Sequence, residues 1–249
     1  AVLGEQPGVV NIYTFIEENN TAYLVMDYVE GQSLETYVKN KGGKLSVSET
    51  LSIMRPVIRA LAGVHKRGVV HRDISPDNIM ITYDNKVKLI DFGAARQYGD
   101  YNSNKVQKGG YSPIEQVTPQ GQVGPYSDIY ALCATIYTCI TGTRVMRAVE
   151  RAKADLLVPP STMGIAIAPQ TETTILQGLA VDPAQRIVNA EALYKALYEN
   201  QAQNRQTTVT SLAVSRMLMD MQTDRKKKMR INRSAWIVCG IVLLLLAVG

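Results

Sequence analysis

The sequence predicts an α+β fold in which a few opening strands hand over to a body of helices. Three observations carry this: two strand-like runs at residues 11–16 and 22–26, a second pair at 79–82 and 86–90, and helical periodicity that dominates from residue 127 onward. In chain order, the first two runs flank the polar Glu17-Glu18-Asn19-Asn20-Thr21 segment and read as a hairpin. A short helix follows over 33–39, ended by Gly42-Gly43. A stronger helix starts at Ser46, with Glu49 completing a capping box, and carries Leu51, Met54, Ile58, Leu61 and His65 at helical spacing. Pro56 is expected to kink it and Gly68 to stop it. The second strand pair flanks Tyr83-Asp84-Asn85, a turn of the Asp/Asn kind. Residues 93–124 show little periodicity and are expected to form a long functional loop. Helices over 127–142, 171–180 and 190–200 complete the body, and 201–224 reads as a polar linker.

With 249 residues, 46% hydrophobic and 20% charged, the chain can bury a full-sized core. Much of the apolar excess lies in residues 235–248, which carry no charge; a spanning helix needs about 20 apolar residues, so this run reads as the start of a transmembrane helix truncated at Gly249. Arg225, Lys226, Lys227, Lys228, Arg230 and Arg233 precede it and contribute to the net charge of +5. Positive residues beside a span stay on the cytoplasmic side, so the bulk of the chain is expected in the cytoplasm of a single-pass membrane protein. Nucleic-acid binding is the rival reading of the basic run, but no aromatic interleaving accompanies it, and no nucleic-acid partner is expected. Cys133, Cys139 and Cys239 form no CxxC or Cys/His cluster, which fits a reducing compartment. The first eight residues contain no signal peptide.

The chemistry is concentrated in two clusters. His71-Arg72-Asp73-Ile74-Ser75-Pro76-Asp77-Asn78 and Asp91-Phe92-Gly93 sit at either end of the second hairpin, which brings them to one site. They supply one carboxylate that could orient a hydroxyl nucleophile, and an Asn and a second Asp that could hold a divalent metal against a nucleotide's phosphates. That is the equipment of phosphoryl transfer. Asp73 and Asp91 as mere turn-formers or caps is the competing reading.

Together with Pro113-Ile114-Glu115, Ser127-Asp128 and Asp182-Pro183-Ala184-Gln185-Arg186, these clusters fall in the order and spacing of a eukaryotic-type Ser/Thr protein kinase, and the chain resembles the bacterial, membrane-anchored branch of that family from about residue 3 to 198. The resemblance implies the kinase fold, mostly its helical C-lobe with the last strands of the N-lobe, and ATP with Mg2+ as cofactors. It makes Asp73 the catalytic base and gives Asn78 and Asp91 to magnesium. Arg72 would tie the catalytic loop to a phosphorylated activation segment, and His71 would stack with Phe92. Met26 aligns with the gatekeeper, Asp27, Tyr28 and Val29 with the hinge, Met80 with the pocket floor, and Ser33 is counted with the nucleotide site; Met26 and Met80 read equally as core packing. Glu115 and Arg186 match a buried ion pair. Asp128 matches the carboxylate that holds the catalytic-loop backbone, or is an ordinary first-turn charge.

The sequence departs from the family twice. Ser75 stands where the family carries a lysine two residues beyond the catalytic Asp, and Lys108 stands where it usually has an activation-segment threonine. Either Lys108 supplies the ammonium that Ser75 lacks, or it is a solvated loop residue in a weak enzyme. Second, no Gly-rich loop and no strand lysine precede Val9, so the chain reads either as an inactive piece of an active kinase or as a pseudokinase acting as scaffold or nucleotide sensor. The expected organisation is an N-lobe remnant and hinge at 1–30, a C-lobe at 31–200, a juxtamembrane linker at 201–234 and the truncated span at 235–249. Tyr98, Tyr101 and Ser103 in the activation segment, and Thr207, Thr208, Thr210 and Ser211 in the linker, are candidate phosphorylation sites. A protein substrate is expected. The sequence leaves a homodimer open.

Overall fold

The computed structural model describes residues 6–19, 21–97, 107–199 and residue 216. The chain divides into two compact units, Ala1–Glu199 and Asn200–Gly249. Apart from residue 216, the linker, its hydroxyl cluster Thr207, Thr208, Thr210 and Ser211, the basic run and the expected span at 235–249 lie outside the described residues, as do Tyr98, Tyr101 and Ser103. Among the described residues no helix is long and apolar enough to cross a membrane.

The opening hairpin pairs β1 (Ile12–Glu18) with β2 (Thr21–Met26), Phe15 opposite Leu24, with an irregularity between Ile12 and Thr14. Both faces of the hairpin are exposed, with Tyr13 and Phe15 on one side of β1 and Ile16 on the other. The chain then enters β3 (Gly31–Ser33), an edge of a three-stranded sheet completed by the strands Ile79–Thr82 and Val87–Leu89, in that order. Gly31 sits at φ 157° against the backbone of Ile81, where a Cβ would collide, so this crossing needs a glycine. Ser33 caps α1 (Leu34–Asn40), its hydroxyl accepting from Thr36 N at 3.1 Å.

Helix α2 (Val47–Lys66) starts at Ser46, whose hydroxyl accepts from Glu49 N at 3.1 Å. The Glu49 carboxylate accepts from the Tyr37 hydroxyl at 2.7 Å, which ties α2 to α1. Thr50, Met54, Val57, Ile58, Leu61, Val64 and His65 make up its buried stripe at helical spacing. Pro56 lies inside this helix without ending it, and Gly68, at φ 74°, follows its end. Helix α2 leads through β4 (Val69–Val70) into the His71 cluster, and β5 (Ile79–Thr82) and β6 (Val87–Leu89) form the second hairpin.

The described residues of the expected loop over 93–124 contain β7 (Arg96–Gln97), paired antiparallel with β4, and α3 (Ile114–Val117). Neither has a periodic signal because each is held by partners remote in sequence. The centre of the molecule is α4 (Pro125–Thr141), where all but three residues are buried. Such a helix shows little amphipathicity because every side meets protein. Short α5 (Ala148–Arg151) follows, fixed by buried Arg151, which donates to Tyr130 Oη at 3.1 Å and Leu179 O at 2.7 Å. Helices α2, α6 (Pro169–Gly178) and α7 (Ala190–Tyr194) pack on α4, and Gly178 lets α6 approach Cys133 closer than any Cβ would allow. A π-helical turn, Lys195–Glu199, continues beyond α7. Met54, Ile58, Leu61, Ile129, Leu132, Ile136, Ile140, Ile175 and Leu193 are at most 1% exposed and define the core.

Candidate active site

Strand β4 delivers the chain to His71, and the following backbone is held in an uncommon conformation. Arg72 has φ 71° and Asp91 has φ 59°, left-handed values that a non-glycine residue keeps only under constraint. The constraint at Arg72 is visible. Asp128, fully buried near the start of α4, accepts from His71 N and Arg72 N, each at 2.8 Å, and lies 3.0 Å from His65 Nε2 on α2. Gln116 Nε2 donates to Arg72 O at 2.7 Å. Asp128 therefore does hold the catalytic-loop backbone, and its place in a first turn is incidental to that.

His71 is a packing residue. Its ring meets Phe92 edge-on at 4.5 Å, its Nε2 donates to Ile90 O at 3.1 Å, and its Nδ1 accepts from Asp73 N at 3.3 Å. That pattern is the neutral tautomer, and burial holds its pKa below the ordinary value of 6.5. A depressed histidine contributes stability that is complete above its unfolded pKa and is lost as pH falls toward the folded one. The melting temperature is accordingly expected to fall between pH 7 and 5, with His71 contributing at most about 1.4 kcal/mol per pH unit. A His71→Tyr variant should show a shallower slope in a thermal-unfolding series; an equal slope refutes the assignment.

Asn78 closes the loop. Its Nδ2 donates to Asp73 O at 2.7 Å and Asp73 Oδ2 at 2.8 Å, which leaves Oδ1 as the amide's free acceptor. Ile90 N donates to Asn78 O at 2.9 Å, which ties the two strands together beside the clusters, and Gly93 N donates to Asp91 Oδ1 at 3.1 Å, which folds the second cluster on itself. Asp73 Oδ1 is buried with no hydrogen-bond partner among the described residues. An amide oxygen and a carboxylate are a hard donor set suited to Mg2+, which keeps water and phosphate as its remaining ligands. Among the described residues no three His, Cys, Asp or Glu side chains form a metal cage. Cys133 and Cys139 are buried thiols pushed up to about 12, too basic to be reactive.

Ser75 is fully buried, and Lys108 reaches it from the activation segment, Nζ to Oγ 2.7 Å. The same ammonium is 2.6 Å from Asp77 Oδ2 and 3.7 Å from Asp73 Oδ1. Partial burial pushes the Asp77 carboxyl up, but the hydrogen bond and charge of Lys108 outweigh it and hold it below the usual range. Asp77 is the residue that motif reading missed. The available signal was an acid beside Asn78 in a cluster that lacks its lysine.

On the nucleotide side, Met26 ends β2 half-buried against the core, and Met80 is half-buried on β5 opposite Ser33. Asp27 accepts from Asn11 Nδ2 at 2.7 Å and from the Tyr13 hydroxyl, while its N–H donates to Asn11 O at 3.0 Å. Tyr28 is 90% exposed and Val29 packs partly on the core. The Ser33 hydroxyl serves as the cap of α1 described above. Glu115 and Arg186 form a bidentate pair at 2.6 and 3.0 Å, with Arg186 also donating to Ala180 O and Val181 O. Beside Lys108 opens a cavity of about 230 Å³ lined by Gln107, Gly109, Val117, Arg147 and Val149.

A strand hairpin joining an Asp/Asn loop to an Asp-Phe-Gly turn, set on a helical body, defines a protein-kinase site. The family model described as "Protein kinase domain" matches residues 2–234, and the chain belongs to that family, in its eukaryotic-type Ser/Thr class. It is similar to serine/threonine-protein kinase PrkC of Bacillus subtilis, 32% identical over 202 residues, 75% of this chain and 30% of that protein. Serine/threonine-protein kinase PknD of Mycobacterium tuberculosis is 30% identical over 218 residues, 83% of this chain and 32% of that protein. The solved structure "PpkA-294 apo form" matches with a TM-score of 0.66 at 30% identity, over 79% of this chain and 71% of that one. The chain thus spans about a third of the length of these curated relatives.

Proposed function

We propose that the chain carries the catalytic centre of an ATP-dependent kinase that phosphorylates Ser or Thr hydroxyls of proteins. The observation that supports this most is Asp73 Oδ1, a buried acceptor with no hydrogen bond among the described residues, next to Asn78 and 3.7 Å from Lys108 Nζ; a base needs such a spare acceptor for the hydroxyl proton. Bound ATP and Mg2+ supply the phosphoryl group and neutralise its charge. In this reading Asp73 orients the hydroxyl, the Asn78 Oδ1 and Asp91 carboxylate hold the metal, and Arg72 receives a phosphorylated activation segment. Met26, Asp27, Tyr28, Val29, Ser33 and Met80 line the nucleotide. Lys108 supplies, beside buried Ser75, the cation that faces the transferring group. The Pro113-Ile114-Glu115 segment and Arg186, which build a protein-substrate platform in the family and are paired here through Glu115 at 2.6 Å, favour a protein substrate over a small molecule.

The proposed organisation is N-lobe strands and hinge at 1–30, C-lobe at 31–200, linker at 201–234 and membrane span from 235, with the kinase on the cytoplasmic face. The basic run followed by uncharged apolar residues supports the last two. A Gly-rich loop and a strand lysine are also required, and none of the 249 residues supplies them, so the test uses the full-length polypeptide. Transfer of radiolabel from ATP to a protein acceptor, dependent on Mg2+ and abolished by Asp73→Asn, is the expected result. ATP binding with no transfer would replace the proposal with a scaffold or nucleotide sensor.

A further inference from the structure

We propose that Asp77 is the positioning residue for Lys108: its carboxylate holds the ammonium over Ser75, at the place where the transferring phosphoryl group meets a cation delivered from the activation segment. The inference rests on the kinase reading above and deepens it. A lysine side chain has a flexible four-carbon stem and a compact charge, so it does not position itself. Here both its ends are fixed. At the backbone end, Lys108 N donates to Ser112 Oγ at 2.7 Å, and Tyr111 N and Ser112 N each donate to Lys108 O at 3.0 Å. At the charged end, Asp77 Oδ2 lies 2.6 Å and Ser75 Oγ 2.7 Å from Nζ.

Asp77 is a rigid base for this contact. It occupies the 3-10 turn Pro76–Asn78, where Pro76 fixes one φ and Asn78 is anchored on both sides, its N–H to Ser75 O at 3.1 Å and its Nδ2 to Asp73 O at 2.7 Å. The pull toward Asp77 also holds Lys108 beyond hydrogen-bond distance of Asp73, whose Oδ1 is 3.7 Å from the ammonium and keeps its lone pairs free of a hydrogen bond among the described residues. Stability is a poor rival explanation. The Asp77 side chain is 41% exposed and that of Lys108 28%, and such pairs contribute little to folding. What this pair does contribute is the placement of one cation across 31 residues of chain, which matters to a transition state and little to a fold.

The test is steady-state kinetics on the full-length polypeptide. Asp77→Asn is expected to lower kcat about tenfold while KM for ATP stays within about twofold, because the lysine remains but is no longer placed. Asp77→Glu should recover most of the loss. In a Ser75→Lys, Lys108→Thr background, where the ammonium is carried by the loop itself, adding Asp77→Asn should cost little. A readout independent of catalysis is tryptic cleavage after Lys108, mapped by mass spectrometry, which should be faster in Asp77→Asn than in the wild type. A rise in kcat would make Asp77 a competitor of the phosphate and overturn the proposal. Equal losses in both backgrounds would reduce Asp77 to a structural role, and unchanged kcat with unchanged cleavage would make the pair idle; each overturns it. If the wild type transfers no phosphate, the kinase reading fails by itself, and the cleavage comparison still decides whether Asp77 holds Lys108.

Discussion

Replacing Lys108 by Ala in the full-length polypeptide is expected to lower kcat about a hundredfold, with KM for ATP changed far less. Losing one preorganised charge that faces a transition state costs about 10²–10³ in rate, and the 28% exposure of the Lys108 side chain places this site at the lower end. A hundredfold is about 2.7 kcal/mol of barrier. The burden falls on kcat because negative charge on the transferring group is neutralised most where it develops. The paired swap Ser75→Lys, Lys108→Thr should restore activity to within about tenfold of the wild type. The two changes have to be made together, because Ser75 is fully buried and its hydroxyl lies 2.7 Å from the ammonium, so Ser75→Lys alone would press two cations into one space. Retained turnover in Lys108→Ala would leave the lysine a solvated loop residue and sink the compensation.

Arg186→Met is expected to be the most destabilising single change among the site residues, by about 3–5 kcal/mol, because it strands a charge in the interior. The Arg186 side chain is 0% exposed and that of Glu115 5%. Arg186 also donates to Ala180 O at 2.6 Å and Val181 O at 2.7 Å, so those carbonyls lose their partner in the same step. After the change, among the described residues only the Ser127 hydroxyl, at 2.7 Å, still reaches the Glu115 carboxylate. At roughly 2–4 °C per kcal/mol for a domain of this size, the melting temperature followed by circular dichroism should drop by about 10–15 °C. Adding Glu115→Gln should win back part of that loss, since it removes the stranded charge. A drop equivalent to less than about 1 kcal/mol would show that the pair is not structural.

The parts of the fold that could be read from the sequence are those set by local rules. Ser46, the apolar stripe from Met54 to Leu61, and the Tyr83-Asp84-Asn85 turn each act over a few residues, and each element formed where its signal lay. Elements held by distant partners left no such signal. Strand β7 exists because β4 lies beside it, and α5 is pinned by Arg151 reaching Tyr130 and Leu179. At the site, the proximity of Asp73, Asn78 and Asp91 was legible because they lie in contiguous motifs at the two ends of one hairpin. Asp77 was not, because its meaning depends on Lys108, 31 residues away, and only the folded chain brings them to 2.6 Å. Glu49 is a smaller instance: its spacing from Ser46 suggested a reciprocal cap, but a tyrosine from the preceding helix took its carboxylate.

Asp128 sets the accuracy with which Asp73, the carboxylate proposed to orient the hydroxyl, is placed. A single buried side chain grips the backbone at His71 and Arg72 and also meets His65 on α2. Asp73 is the next residue, so it is located relative to two helices of the core and not relative to a surface loop. Its tolerance is that of close-packed side chains, where shifts of a few tenths of an ångström are resisted from every side. Small repacking errors between α2 and α4, too slight to unfold the molecule, would be transmitted as misalignment at the chemistry, so the helical body is the instrument's reference frame as well as its support.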